Sequence, residues 1–419
     1  RAPSAWFGVL AAPLLAAVAM RLTGRRAAGL LAAWLAALHP LLVYYGQEAR
    51  MYTLLLALGI SAVYCALRMT EERGRAAFGA GYVAAATAAL YTHYFALFLL
   101  GGLALALLWI HRRRAPAGAQ DGDAVPYGMV SFAHSAPLAG NNLARGFGPL
   151  ALANSLVALC YLPWLGVMVN QWGGDRSYWQ GAFKVGEAVR NMAVTFTSGE
   201  AFHEPIGFWL LIPYLLITLL TLWRLTGRAQ SGGETSPSET YTLVLAGFWL
   251  LTPVIGVLML AALAPKFNAR YGLVALPGLL LLWSAGLTRW PAAAPRIGRG
   301  GMSTWWGARL AIALLLAGAI WGNAYWFFDR AFTKDDWRGV ATFLRPRLAA
   351  DERVVLVSGH AYPAWNYYAP DIPVVRLPAI DVLDVDAVLT FANTVEPLRA
   401  AFNEQTGMHG AWLVGWQDE

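Results

Sequence analysis

The sequence predicts a mainly α protein: a polytopic bundle of about ten transmembrane helices, residues 1–328, followed by a small α/β domain, residues 329–419. Three observations carry this expectation. Apolar runs long enough, or nearly so, to cross about 30 Å of hydrocarbon recur along the first 328 residues. The loops between them alternate between arginine-rich and arginine-poor. After Phe328 no further spanning run occurs, and short β-branched runs replace the long ones. Composition agrees, with 58% hydrophobic and 13% charged residues, where globular chains carry about a quarter charged residues.

The expected spans are Trp6–Met20, Ala27–Tyr45, Met51–Leu67, Ala76–Leu90, Tyr94–Ile110, Pro149–Val169, Ile206–Trp223, Tyr241–Leu263, Tyr271–Leu287 and Trp305–Phe328. One set of alternate loops carries Arg21, Arg25 and Arg26; Arg68, Arg73 and Arg75; Arg112, Arg113, Arg114 and Arg145; Arg224 and Arg228; and Arg289, Arg296, Arg299 and Arg309. The positive-inside rule places these in the cytoplasm. The opposite set carries Arg50; no basic residue around Tyr91–Tyr94; Arg176, Lys184 and Arg190; and Lys266 and Arg270. The formal charge of +7 therefore reads as a topology signal, and a nucleic-acid partner is set aside. Cys65 and Cys160 lie in separate apolar runs without metal-ligand spacing and say nothing about the redox compartment. The chain opens Arg1-Ala2-Pro3 with an apolar run almost at once, so it reads as a piece of a longer protein, with a C-terminal domain unfinished at Glu419.

Residues 115–148, rich in Gly, Ala, Pro and Asn without apolar period, are expected to form a cytoplasmic loop. The outer loop 171–205 differs. It holds Trp172, Tyr178, Trp179, Phe183, Phe196, Phe202, Glu200, His203 and Glu204, which fits either a structured lid or an interfacial aromatic belt. In the tail, 335–348 has helical spacing, while 353–358, 372–376 and 411–415 read as strands.

Three polar groups fall at outer junctions between expected spans. The first is Tyr44, Tyr45, Gln47, Glu48, Arg50 and Tyr52; the second surrounds His93 and Tyr94; the third is Lys266, Asn268, Arg270 and Tyr271. Ionisable side chains at a membrane boundary point to function, and Arg50, Lys266 and Arg270 around one cavity would hold an anion such as a lipid phosphate. Each has a plainer reading. Basic residues snorkel from helix ends, His93 fits a hydrogen-bonded structural histidine, and Glu48 fits a counter-ion to Arg50. No metal-ligand spacing, Gly-rich phosphate loop or nucleophile elbow occurs, so no metal site is assigned. A divalent metal ion as cofactor is left open, without identifiable ligands.

Arg1-x-Pro-Ser, Arg25-Arg26, His39-Pro40, the block Tyr44-Tyr45-Gly46-Gln47-Glu48-Ala49-Arg50-Met51-Tyr52, Tyr91-Thr92-His93-Tyr94, Asn268-Ala269-Arg270-Tyr271 with Pro277, and Asp336-Trp337-Arg338 occur in that order. In this the chain resembles bacterial glycosyltransferases of the GT-C superfamily, and more narrowly the family 39 group of mannosyltransferase-like and aminoarabinose-transferase-like proteins. The Gln-Glu-Ala-Arg-Met-Tyr block is fairly specific, the other pieces supportive. The resemblance implies a multi-pass enzyme of the bacterial cytoplasmic membrane. It would move a sugar from a polyprenyl-phosphate donor to a lipid, polysaccharide or protein acceptor on the outer face, with inversion, and its α/β domain would be extracytoplasmic. Arg50, Lys266 and Arg270 would then stabilise the phosphate leaving group. The family's catalytic carboxylate lies in a first outer loop that would precede Arg1, so no catalytic residue is assigned, and the chain as written is expected to be inactive. Tyr367 and Tyr368 are candidates for the acceptor side, against the ordinary packing of tyrosine in small α/β cores.

Two other classes compete with this reading. A transporter or lipid flippase also has many helices and a polar cavity, though transporters gather polar features near the midplane and show internal repeats, which this chain lacks. A lipid-binding or sensory membrane protein is the third.

Overall fold

A computed structural model describes residues 1–69, 75–112, 147–174, 183–200, 206–226, 237–263, 267–289, 299–329, 332, 335–357, 361–378, 391–402 and 410–415. The expected loop 115–148, apart from its last two residues, lies outside them, as does Lys266. The helices are α1 (Ala2–Thr23), α2 (Arg26–Leu38), α3 (Pro40–Gln47), α4 (Tyr52–Met69), α5 (Arg75–Thr92), α6 (Ala96–Arg112), α7 (Phe147–Gly174), α8 (Val185–Ser198), α9 (Ile206–Thr226), α10 (Pro237–Leu263), α11 (Leu276–Leu287) and α12 (Arg299–Phe328). A 3-10 segment, Ala269–Ala275, leads into α11. All ten expected spans are thus helical.

Seven of these helices, the 3-10 segment and α11 counted together, are long and apolar enough to cross a membrane, and eight if the bent pair α2–α3 is one span. The chain is a multi-pass membrane protein. The Ala- and Gly-rich α5 and the 17-residue α6 fall outside that set. Contacts divide the chain into two compact units, Arg1–Gly166 with Ala182–Asp329, and Val167–Gly181 with Arg330–Glu419.

In the first unit α11 is the central element, and every one of its residues is buried. Its sequence, Leu-Pro-Gly-Leu-Leu-Leu-Leu-Trp-Ser-Ala-Gly-Leu, is apolar all round, as a helix with no free face must be. Close approach comes from Gly278, where a Cβ would stand 2.7 Å from the Leu250 nitrogen and 2.8 Å from the Ala246 carbonyl of α10. The indoles are satisfied across helices: Trp249 Nε1 donates to the Val274 carbonyl at 3.0 Å, and Trp283 Nε1 to Thr218 Oγ1 at 2.9 Å.

The C-terminal carbonyls of α11 have no partners within the helix. Arginines supply them: Arg25 Nη2 donates to Ala285 O and Arg224 Nε to Gly286 O, both at 2.9 Å. Arg224 and Arg289 each donate to the other's backbone carbonyl, and Glu239 Oε1 lies 2.7 Å from Arg289 Nε as counter-ion. Cations are well placed at the negative end of a helix dipole. Two of the arginines read as topology signals, Arg25 and Arg224, therefore also clamp a helix end.

At the opposite kind of junction, α2 and α3 meet at a 51° bend at His39-Pro40. Proline has no N–H to continue the ladder. The exposed polar groups are taken up locally: Asn323 Nδ2 of α12 donates to Leu38 O at 2.7 Å, and the Leu41 N–H donates to His39 Nδ1 at 3.3 Å.

The second unit contains α13 (Trp337–Leu344), β1 (Glu352–Val357), α14 (Tyr362–Tyr368), β2 (Val374–Leu377), α15 (Phe391–Ala401) and β3 (Gly410–Val414). The strands form one parallel sheet in the order β2-β1-β3, with Val355 opposite Val375 on one side and Leu413 on the other. The expected helix and three strands are present with ends moved by a few residues; α14 and α15 were not foreseen. Ala341, Leu344, Val354, Leu356, Trp365 and Ile372 build its core. Asp336 of the Asp-Trp-Arg motif caps α13 by accepting the Gly339 N–H at 2.8 Å.

Candidate functional site

The site begins at the bend. His39 Nδ1 already accepts a hydrogen bond from the Leu41 N–H, so Nε2 carries the ring hydrogen and donates to the Phe196 carbonyl at 3.0 Å. That bond ties α3 to the C-terminal turn of α8. The chain leaves α8 through Gly199 at φ 74°, a conformation glycine adopts without penalty. A Cβ there would also lie 2.7 Å from Pro40 Cβ. Both constraints seat Glu200 against α3, where Tyr45 OH donates to its Oε1 at 3.4 Å.

A continuous path of rings runs through the same region. Trp326 of α12 meets Tyr44 at 4.7 Å between centroids, Tyr44 meets Tyr45 at 4.9 Å, Tyr45 meets Tyr52 at 4.9 Å, and Tyr52 meets His93 at 6.1 Å. His93 then meets Tyr94 at 4.9 Å and Tyr271 at 6.3 Å. The first three of these pairs are edge-to-face, a geometry favourable beyond its burial. The structure therefore brings together members of all three polar groups expected from the sequence, through α3, the start of α4, the turn after α5 and the 3-10 segment.

The charges gather around Tyr44, whose hydroxyl lies in the electrostatic field of Glu48, Glu200, Arg50 and Arg270. Arg270 also acts on Tyr45 and sits 5.8 Å from the Tyr271 ring. Asn268 shapes this end by capping the 3-10 segment, accepting the Arg270 N–H at its Oδ1 at 3.1 Å. Arg50 is exposed, and its carbonyl accepts from Ser4 Oγ at 3.2 Å, linking the Pro3-Ser4 and Arg50-Met51 pieces of the sequence pattern. Gln47 donates back to the Val43 carbonyl at 3.3 Å, a local helix contact. Tyr45 and Tyr52 are buried, while Tyr94 is exposed. His93 is buried and accepts the Phe95 N–H at 3.3 Å, the arrangement of a structural histidine; desolvation pushes its imidazole down to about 4.

Beside this cluster is a cavity of about 320 Å³ lined by Arg190, Asn191, Thr195, Glu200, Phe208 and Phe267, among others, with Asn268 and Ala269 at one wall. Of the expected site residues, Asn268 lines it; Arg50 does not. Glu200 and Arg190, read from the sequence only as members of an outer loop, and Phe208 were not assigned to a site, because their partners lie far along the chain. The one sequence signal was the run Val185–Ser198, amphipathic at helical spacing and closed by glycine. Among the described residues no group of three or more His, Cys, Asp or Glu side chains is gathered as metal ligands would be.

No family model matches the sequence, and no curated protein does. The architecture is a polytopic bundle of apolar helices with a small strand-containing unit. It is similar to the crystal structure of ArnT from Cupriavidus metallidurans in the apo state, with a TM-score of 0.56 and 13% identity over 95% of this chain and 75% of that one. At that identity the likeness shows the fold.

Proposed function

We propose that the protein transfers a sugar from a polyprenyl-phosphate-linked donor to an acceptor at the outer face of the bacterial cytoplasmic membrane, with inversion at the anomeric carbon. The observation that carries the reading is the path of rings that joins Tyr44, Tyr45, Tyr52, His93 and Tyr271, with Arg50 and Arg270, from segments remote in sequence, both acting on the Tyr44 hydroxyl at its end. Two guanidinium groups at a membrane boundary suit a lipid phosphate, and they would stabilise the charge left on it as the glycosidic bond breaks. Lys266, just ahead of Phe267, is proposed as a third cation of that set. The ArnT-like fold and the sequence resemblance to family 39 support the same class of chemistry. Nothing comparable supports a transporter.

In this reading Tyr44, Tyr45, Gln47, Glu48, Tyr52, His93, Tyr94, Asn268 and Tyr271 line or support the donor site, and Tyr367, exposed at 77%, remains available for an acceptor with Tyr368 beside it. The α/β unit is placed outside the cell. The test is transfer from a panel of polyprenyl-phosphate sugars by the full-length protein reconstituted in vesicles. Arg50→Ala and Arg270→Ala should each lower transfer by at least about a hundredfold, the scale of losing one transition-state charge contact, while both variants stay in the membrane. Undiminished transfer in both would remove these arginines from the site. Movement of the donor across the bilayer without cleavage would point to a flippase.

A further inference from the structure

The cavity beside α8 differs in chemistry from the arginine cluster next to it. We propose that it seats the sugar ring of the donor, with Glu200, Asn191 and Asn268 binding its hydroxyls and Phe208 and Phe267 facing its C–H surface. This deepens the transferase reading and rests on it.

The wall contains donors and acceptors in close alternation: the Arg190 guanidinium, the Asn191 and Asn268 amides, the Thr195 hydroxyl and the Glu200 carboxylate. A hydroxyl-bearing ring needs such a mixture, because every hydroxyl both donates and accepts. A prenyl chain would set only hydrocarbon against this polar wall. A phosphate would meet the Glu200 carboxylate, which repels it. The two phenylalanines supply the apolar contact that one face of a pyranose or furanose presents. About 320 Å³ falls at the lower end of the roughly 300–1,000 Å³ of small-molecule sites, which suits a single sugar and excludes a long glycan.

Position argues the same way. Asn268 and Ala269 line the cavity, and Arg270 is the next residue. Asn268 commits its Oδ1 to the Arg270 N–H at 3.1 Å, so its amide NH₂ is the end that can donate to a ligand. On the other wall Glu200 accepts from Tyr45, which lies in the field of Arg270. A sugar in the cavity would thus place its anomeric phosphate next to the proposed cations. The seat is also fixed in place: Gly199, closed against Pro40, and His39, bonded to Phe196 O, hold the end of α8 that carries Glu200.

The experiment compares binding of bare polyprenyl phosphate with binding of the same lipid phosphate bearing a hexose or a pentose, to the full protein in detergent micelles. The parent should bind one of the glycosylated lipids at least tenfold more tightly than the bare one. Glu200→Ala and Asn191→Ala should remove most of that advantage and leave bare polyprenyl phosphate unchanged, whereas Arg270→Ala weakens both lipids. Glu200→Gln keeps the acceptor for Tyr45, so it covers the case in which alanine prevents folding; it should cost several-fold for the glycosylated lipid alone. If the variants weaken both lipids equally or neither, or if a sugar adds nothing to parent binding, the cavity is not the sugar seat although the phosphate site stands. If the parent binds no polyprenyl phosphate at all, the transferase reading fails and takes this proposal with it.

Discussion

Two buried histidines show how single neighbours set the state of a side chain. His39, between an N–H donor and a carbonyl acceptor, is held in one tautomer and joins α3 to α8. His93 accepts one N–H and is otherwise wrapped by rings. Its folded-state pKa of about 4 lies below the 6.5 of a solvated imidazole, so protonation favours the unfolded chain. The stability that neutral His93 contributes is complete above pH 6.5 and is lost as pH falls toward 4, by up to about 3 kcal/mol. Thermal unfolding in detergent at pH 7 and pH 4.5 should show this loss, and His93→Asn should flatten the dependence; an unaltered slope would mean that the ring is solvated. Sequence reasoning placed His93 and Tyr94 at an outer junction and gave His93 its structural alternative. It could not place Glu200 beside Tyr45, because that hydrogen bond joins residues linked only through tertiary packing.

At the scale of elements, the helices follow from local pattern and their breaks from local chemistry. The single expected span Ala27–Tyr45 is helical at both ends yet bends at Pro40, whose missing N–H was visible in the sequence while the 51° angle was not. The outer loop 171–205 was open between lid and belt. Its described parts are the end of α7 and the segment that forms α8, whose Ala188, Met192, Thr195 and Phe196 recur at helical spacing on one buried face. Helix α11 could be read as apolar, but not as fully enclosed. That enclosure makes Gly278 sensitive: Gly278→Ala puts a methyl against the α10 backbone, which cannot yield as a flexible side chain would. It should destabilise by about 1–3 kcal/mol, read as a lower unfolding temperature in detergent; Gly247→Ala, with nothing within 4 Å of the added Cβ, should cost far less.

At the scale of the whole molecule, two units with separate cores share one chain. The second is organised on Trp365, 2% exposed, whose Nε1 donates to the Ile372 carbonyl at 3.3 Å and whose ring meets Trp337. Trp365→Ala should cost about 3–5 kcal/mol through cavity formation and the lost hydrogen bond. Amide exchange in the full protein reads it directly: protection of Val354–Leu356 in β1 should fall by at least a hundredfold. Retained protection there would show that the strands do not depend on this tryptophan. Two cations, Arg25 and Arg224, serve the whole in a similar sense, since one helix end, that of α11, draws partners from two separate segments.

Run length, periodicity and the positions of proline and charge are properties of short stretches. The sequence alone therefore determined ten helical segments, the change of character after Phe328, three strands of the second unit and the polar groups at the helix junctions. Which of those groups meet depends on how distant helices pack, and only the tertiary structure decided it. It set Arg50 and Arg270 around Tyr44, drew Glu200 to Tyr45 through the turn at Gly199, and opened the cavity between α8 and the 3-10 segment. The physical reason is that helices are set against one another by packing along their whole length, and the polar side chains at their ends take the neighbours that packing brings.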